Sequence, residues 1–532
     1  MSVRRVMGTE TEYAVSVRNR SNANPVQSSF DVIAHAGLAQ TRHIRWDYRQ
    51  ESPIQDLRGI TLERAAARPD MLTDEPQRNI TNAFAPNGGR MYVDHAHPEY
   101  SAPETTDPFE AVRFDFAGDL LMRQAAHEAS EACDDTFELF RNNVDGKGAA
   151  WGSHENYQVR RDVPFDLLAS LMTLHFVSRQ IYTGAGRLGI GEHSETAGFQ
   201  LSQRADYVHM KIGLQTTFDR PIINTRDEAH APQAMRRLHV IVGDANRLQF
   251  PDALKLGTTS LLLWCAEQEG ESRQVLEQML AQYTLADPVE AMHTVSHDLS
   301  LSQPLALLNG GQTTAWQLQI MLRELVYHIA CEQYDTDVRG EPLWPDAQTR
   351  SIMAMWQQAL LDVAAVRHAN DDERLSMAGE ASRLEWLLKW QLLEKMRRRL
   401  HAESGGWDDA RLGALELRWA SLAPDNERVF AKARANAEKV VSDDDIADAA
   451  RTAPNDTRAW LRAAMLRRFP EQIRAVSWTH ITTIAYADGL CWTLDMSSPT
   501  AFNQQQCEEK VSEAQTAAEL IAALGGTSEQ AH

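Results

Sequence analysis

Two short segments constrain this chain more than any other part of it. Residues 7–13 read MGTETEY, and residues 90–104 read RMYVDHAHPEYSAPE. Both crowd acids, and the second also histidines, onto stretches that read as strands rather than surface helices. In an extended chain alternate side chains share a face, so Glu10 and Glu12 point the same way, as do Tyr92 and Asp94. Carboxylates paired on one sheet face repel each other unless cations fill the gap. Hard oxygen ligands suit Mg²⁺, which in proteins usually accompanies nucleotide phosphate. The pattern predicts an antiparallel, carboxylate-lined sheet that binds a Mg-nucleotide, with Asp94 at its centre.

The chain has 532 residues, 43% hydrophobic and 24% charged, enough for a large core and more than one domain. No apolar run reaches bilayer-spanning length, and the first residues lead into a strand without a signal-peptide core, so a cytoplasmic location without membrane contact is expected. Five scattered cysteines without CxxC spacing predict neither a disulfide framework nor a zinc site. The net charge of −21 argues against nucleic acid as a partner. An acidic partner needs a locally basic groove, for which Arg160 and Arg161, Arg397 to Arg399, and Arg467 and Arg468 are the candidates.

The first half mixes strand-like stretches (5–17, 90–94, 154–160, 207–217, 238–242) with helical spacing over 109–133 and 167–181. The second half is mostly helical, clearest over 314–334, 352–367 and 374–401. This is an α+β pattern without regular βαβ alternation. Residues 28–87, including RWDYRQESPIQDLRG, do not fit the flanking strands and read as a long insertion between them. Trp46, Tyr48 and Ile54 suggest that it is partly ordered. The Asp-rich stretch 441–456 reads as a linker or helix boundary before a small C-terminal domain, giving a catalytic unit over 1–450 and a second unit over 451–532. Residues from 525 onward read as frayed.

Other motifs separate into candidates and rejections. TGAGRLG at 183–189 contains GxGxxG, but GEHSETAG after it cannot open a strong helix for a pyrophosphate, so a Gly-rich turn is expected. Pro98 is expected to break any ladder beside His95 and His97, which then have structural or supporting roles. Glu99 is the better ligand candidate. His154 with Asn156, and His239 with Arg237, each put two polar groups on one strand face. Arg204 and Arg226 are candidate phosphate clamps, with salt bridges to Asp206 and Asp227 as the bland alternatives. Trp478 reads as a core aromatic.

MGTETEY, YVDHAHPEYSAPE, NNVDGKGAAWGSHENY, GFQLSQRADY, RPIINTRDEAHA and RRLHVIVGDAN, in this order, closely resemble the depupylases, the deamidases of Pup also called Dop. They resemble the Pup ligases of the same carboxylate-amine ligase family more distantly. The resemblance implies a glutamine-synthetase-like antiparallel sheet packed by helices, plus a small C-terminal domain. It implies ATP and Mg²⁺ as cofactors, with Glu10, Tyr92, Glu99, His154 and His239 around the metal. Gly8, Thr9, Glu10, Thr11, Glu12, Ser101, Ala102, Asn156 and Arg237 would lie near the nucleotide. Asp94 matches the family's catalytic aspartate, and Arg204 would hold developing negative charge. RWDYRQESPIQDLRG resembles a loop that depupylases carry and the ligase lacks. The implied reaction is hydrolysis of the isopeptide bond between the C-terminal Glu of Pup and a substrate lysine, with deamidation of a C-terminal Gln of Pup. Pup ligation is the alternative. Asp94 as base, Asp94 as nucleophile, and attack by phosphate released from ATP all remain open. Pup and pupylated proteins are the implied partners, and Pup, disordered and acidic, would fold as it docks. Residues 416–422 and 485–501 depart from the family's wording.

Overall fold

Strand β1 (Met7–Glu12) is hydrogen-bonded on both edges, and the site is built around it. The computed structural model describes residues 3–530 except 53, 62–81, 402–405 and 427. In chain order the strands of its two larger sheets are β1, β2 (Arg45–Trp46), β3 (Asn82–Phe84), β4 (Arg90–Asp94), β5 (His97–Ser101), β6 (Ser153–Arg160), β7 (Met235–Val240), β8 (Ile473–Val476), β9 (His480–Thr483), β10 (Leu490–Asp495) and β11 (Thr527–Gln530). The first sheet has the order β7-β6-β1-β5-β4-β3, antiparallel throughout. The architecture is α+β, as the sequence pattern predicts.

Register decides what each face carries. Glu10 lies opposite His154 on one side and Ser101 on the other, Glu12 opposite Glu99, Glu99 opposite Tyr92, and Asn156 between Gly8 and His239. With a side-chain period of two, these residues all project from one face, together with Asp94. The opposite face packs on helices. The helices used below are α1 (Pro25–Ala34), α2 (Pro108–Cys133), α3 (Phe165–Ser178), α4 (Gln249–Ala266), α5 (Asp443–Ala449) and α6 (Ala459–Arg468), and of these α2 lies against β1. The Thr9 and Thr11 hydroxyls each donate to Asp115 of α2 at 3.0 Å, and the fully buried Arg141 donates to both Asp115 and Asp119. The apolar alternation of β1 is thus replaced on its back face by a closed polar network, whose buried charges are paired.

Several expectations change. Stretch 5–17 is not one strand: after Tyr13, Ala14–Val17 leaves the large sheet to pair with Phe137–Phe140. Stretch 374–401 splits into Asp371–Arg374, Ala378–Ala381 and Glu385–His401. Of the two readings of the Asp-rich stretch 441–456, the helix boundary holds: it contains α5, packed on α2. The Ser442 side chain caps it by accepting from the Asp445 N–H, and Asp443 to Asp445 fill its first turn, where acids complement the helix dipole. Residues 527–530 are strand β11 paired with β10, not a frayed end. Most of α1 falls inside stretch 28–87, started by the Asn24 cap and Pro25. Part of that stretch, 53 and 62–81, lies outside the described residues.

A second apolar core forms around Leu461, Leu466, Ile473, Ile481 and Leu494, and it takes in Ile44, Trp46 and Phe84. The second sheet, ordered β11-β10-β9-β8-β2, explains this: β2 joins it in parallel with β8. The stretch read as an insertion therefore completes the C-terminal sheet. Among the described residues no helix is long and apolar enough to cross a membrane, and the five cysteines are unpaired.

Candidate functional site

The face of the first sheet turned away from the helices gathers charged groups at short range. His154 Nδ1 lies 3.3 Å from Glu10 Oε2, and the Asn156 amide donates to Glu10 Oε1 at 3.1 Å. The Asn156 carbonyl oxygen accepts from Arg237 at 3.1 Å and lies 2.9 Å from His239 Nδ1. That oxygen is an acceptor only, so His239 carries its proton on Nδ1 and keeps the Nε2 lone pair free for a metal. Glu10, His154 and His239 each offer a ligand atom within 4.8 Å of the others, and so do Glu12, Glu99 and His154. The two groups share His154, and acids with imidazoles in such a cradle suit divalent cations.

Electrostatics supports the same reading. Burial and the nearby Asp94, Glu12 and Glu10 carboxylates push the Glu99 carboxyl well above its ordinary range. Burial also acts on Glu10, but the His154 hydrogen bond and the Arg237 charge outweigh it and hold Glu10 low. Burial, reinforced by Arg237, drives His239 well down, so it is neutral and able to ligate. Four carboxylates on one face with too few cations among them fit a site completed by a metal ion.

Asp94 ends β4 at a two-residue hairpin whose tip, His95 and Ala96, joins it to His97. His95 has φ 52°, and its Nδ1 lies 3.0 Å from Asp94 Oδ1. Burial raises the Asp94 carboxyl, yet the His95 bond and the charges of His95, His154 and Arg226 hold it below the usual range. Asp94, Tyr92, Glu99, His154, His239 and Glu10 line one cavity of about 820 Å³, counting solvent at its mouth. Pro98 does not break the ladder as expected: it pairs with Val93 in the hairpin, and its carbonyl accepts from Tyr13 just where β1 ends. The missing N–H falls where pairing with β1 stops.

An adjoining cavity of about 590 Å³ is lined by Gly8, Thr9, Glu10, Ser101, Ala102, Asn156 and Arg237. Of the residues expected near a nucleotide, Thr11 is not there; its hydroxyl, like that of Thr9, is turned to Asp115 behind the sheet. Glu12 is not there either; it accepts the Gly152 N–H at 2.7 Å beside the second ligand group. Arg204 is absent from both cavities. It is buried, donates to the Trp151 and Ile241 carbonyls, and is pushed down to about 9 by burial and by Arg220. Neither suggested salt bridge forms: Asp206 pairs with Arg187 and His297, and Asp227 with Arg161. Arg226 lines the Asp94 cavity, 3.9 Å from Glu228.

The profile of the Pup-ligase protein family matches residues 5–482. The chain belongs to the Pup-ligase family. It is 38% identical over 530 residues to a depupylase of Acidothermus cellulolyticus, covering 98% of this chain and 99% of that protein. It is 40% identical over 488 residues to the Pup deamidase/depupylase of Mycolicibacterium smegmatis, covering 90% and 91%. A Pup–protein ligase of Bifidobacterium dentium shares 35% over 424 residues, covering 77% and 81%. The structure of the ligase PafA in complex with Pup aligns with TM-score 0.74 at 25% identity, covering 98% of this chain and 94% of that one. PafA with ADP aligns at 0.67 and 27%, covering 85% and 95%.

This Pup-ligase family member also brings to the site residues to which no role was given from sequence. Arg90 lies between the rings of Trp46 and Tyr92, 3.9 and 4.0 Å from their centroids, in the Asp94 cavity. It shares the alternation of Tyr92 and Asp94, which could have revealed it. Trp478, expected in the core, lines both cavities and meets Trp46 edge-on at 5.2 Å. His230, driven to about 4 by burial and Arg237, lines both as well, and no local signal marks it. The arginine clusters are largely paired already: Arg160 with Asp162, Arg397 and Arg398 with Glu394, and Arg467 and Arg468 with backbone carbonyls. Gly184 and Gly186 of the GxGxxG stretch lead into a strand, Arg187–Ile190, that pairs antiparallel with Thr196–Gln200. No helix follows to hold a phosphate.

Proposed function

We propose that this chain hydrolyses the isopeptide bond between the C-terminal Glu of Pup and a substrate lysine, and deamidates Pup that ends in Gln, with Mg-ATP bound. The observation that carries this reading is the placement of Asp94 in one cavity with Glu10, His154 and His239 of the first candidate ligand group and Glu99 of the second, beside a second cavity lined by seven of the expected nucleotide residues. Hydrolysis rather than ligation is favoured because the depupylases compared share more of the chain at higher identity than the ligase does. The two depupylases are 38% and 40% identical to this chain and the ligase 35%.

A carboxamide is a poor electrophile, so its cleavage needs a positioned nucleophile and charge stabilisation at the carbonyl oxygen. Asp94, ionised and fixed by His95 at the hairpin tip, is the base or the nucleophile. Glu10, Glu12, Glu99, His154 and His239 would hold Mg²⁺, with the Tyr92 hydroxyl beside them, and the ion would neutralise phosphate and oxyanion charge. Arg90 and Arg226 bring positive charge to the Asp94 cavity, and Arg237 borders the nucleotide cavity. Arg204 acts behind the cradle by bracing the Trp151 and Ile241 carbonyls. Acidic Pup would approach the rim carrying these arginines. Asp94→Asn tests the reading: cleavage of a Pup–lysine conjugate should be lost while labelled ATP still binds. Retained turnover would remove Asp94 from the reaction.

A further inference from the structure

Glu104 follows β5 by three residues and is the point at which the C-terminal residues grip the catalytic sheet. Its Oε1 accepts from Arg458 Nε at 2.7 Å and its Oε2 from Arg462 at 2.5 Å, while its backbone carbonyl accepts from the Thr457 hydroxyl at 2.8 Å. Both arginines are buried. Arg458 also donates to the carbonyls of His230 and Met496, and Arg462 to those of Gly88 and Trp478, with its guanidinium 4.9 Å from the Trp478 ring. Burial alone would raise the Glu104 carboxyl, but the two arginines hold it down to about 2. One largely buried carboxylate thus orients two buried cations from α6 and the residue before it.

Glu104, Arg458 and Trp478 line the same cavity as Gly8, Ala102 and Asn156. Arg458 and Trp478 come from the C-terminal residues and the others from the catalytic sheet and the turn after it, so the cavity is complete only while the two are docked.

We propose that Glu104 is a positioning residue, a latch that docks the C-terminal residues on the catalytic sheet and so sets Arg458 and Trp478 against the nucleotide. This rests on the nucleotide reading given above. The latch acts on ground-state nucleotide binding and not on the reacting atoms. Loosening it raises the requirement for ATP and leaves the chemical step at saturation alone.

The test measures binding of fluorescent ATP with Mg²⁺, and the KM for ATP and kcat of conjugate cleavage, in the full chain and in Glu104→Gln, Glu104→Asp and Arg462→Met. Glu104→Gln should weaken ATP at least tenfold with kcat within about threefold, and Glu104→Asp should recover part of the loss. If Glu104→Gln does not fold, Arg462→Met, which keeps the Arg458 bond, reads the same effect in smaller measure. Unchanged ATP affinity in a folded Glu104→Gln or Arg462→Met variant, or a fall in kcat with unchanged KM, overturns the latch. Failure of the unsubstituted chain to bind ATP would instead overturn the nucleotide reading.

Discussion

Gly152 precedes β6 and faces the imidazole of His154, the residue common to both candidate ligand groups. A Cβ at Gly152 would sit 2.0 Å from His154 Nε2 and 2.6 Å from Cε1. Ordinary contact begins near 3.4 Å, so in Gly152→Ala the ring must withdraw by about 1.4 Å. The obstructing atoms belong to the far end of a side chain, and the Gly152 N–H to Glu12 is kept, so the fold tolerates the change by turning the ring. The ligand set does not. A displacement of about 1 Å in a catalytic constellation costs on the order of 10²-fold in rate, or about 2.7 kcal/mol. The expected result is a kcat/KM for Pup–conjugate cleavage lower by about two orders of magnitude and a raised Mg²⁺ requirement. Far-UV circular dichroism and thermal midpoint should stay close to those of the unsubstituted protein. Full turnover at the original Mg²⁺ requirement would show that His154 does not hold the metal.

Two further outcomes follow from the packing behind the site. In Gly118→Ala the new Cβ of α2 would lie 2.3 Å from the Tyr100 ring of β5, an overpacking worth about 1–3 kcal/mol that exceeds the helix-propensity gain of up to about 1 kcal/mol. The thermal midpoint should fall; a rise would mean that the interface relaxes freely. His175 of α3 is fully buried against Thr259, and burial with the Arg179 charge puts its folded pKa well below 6.5. The unfolded chain therefore binds a proton there first, so this contribution is complete above about pH 6.5 and is lost as pH falls, by up to about 1.4 kcal/mol per pH unit. Urea midpoints at pH 7 and pH 5 should drop more for the unsubstituted protein than for His175→Leu. Equal drops would show that His175 titrates normally.

How much of this was legible in the sequence follows from the range of each signal. Period-two alternation put Glu10 with Glu12, and Tyr92 with Asp94, on shared faces, and the observed register agrees. The same alternation pointed to Arg90. Trp478 and His230 were not legible, because they reach the cavities through contacts between distant segments and carry no local pattern. Arg204 was chosen for the chemistry of its guanidinium, but backbone carbonyls deep in the structure occupy that fork. The Asp run at 443–445 resembles a linker by composition, whereas beside Ser442 it is the first turn of a capped helix. Residues 45–46 looked foreign to the strands around them because their partner, β8, lies more than four hundred residues later.

The most direct test of the central claim is intact-mass spectrometry of a Pup–lysine conjugate incubated with this protein and Mg-ATP, beside free Pup ending in Gln. Hydrolysis at the Asp94 cradle predicts release of the unmodified substrate protein together with Pup ending in Glu, and the mass gain of an amide-to-acid conversion on Pup ending in Gln. An intact conjugate, with new conjugate formed from free Pup ending in Glu and a lysine-bearing protein, would contradict it and make the chain a ligase.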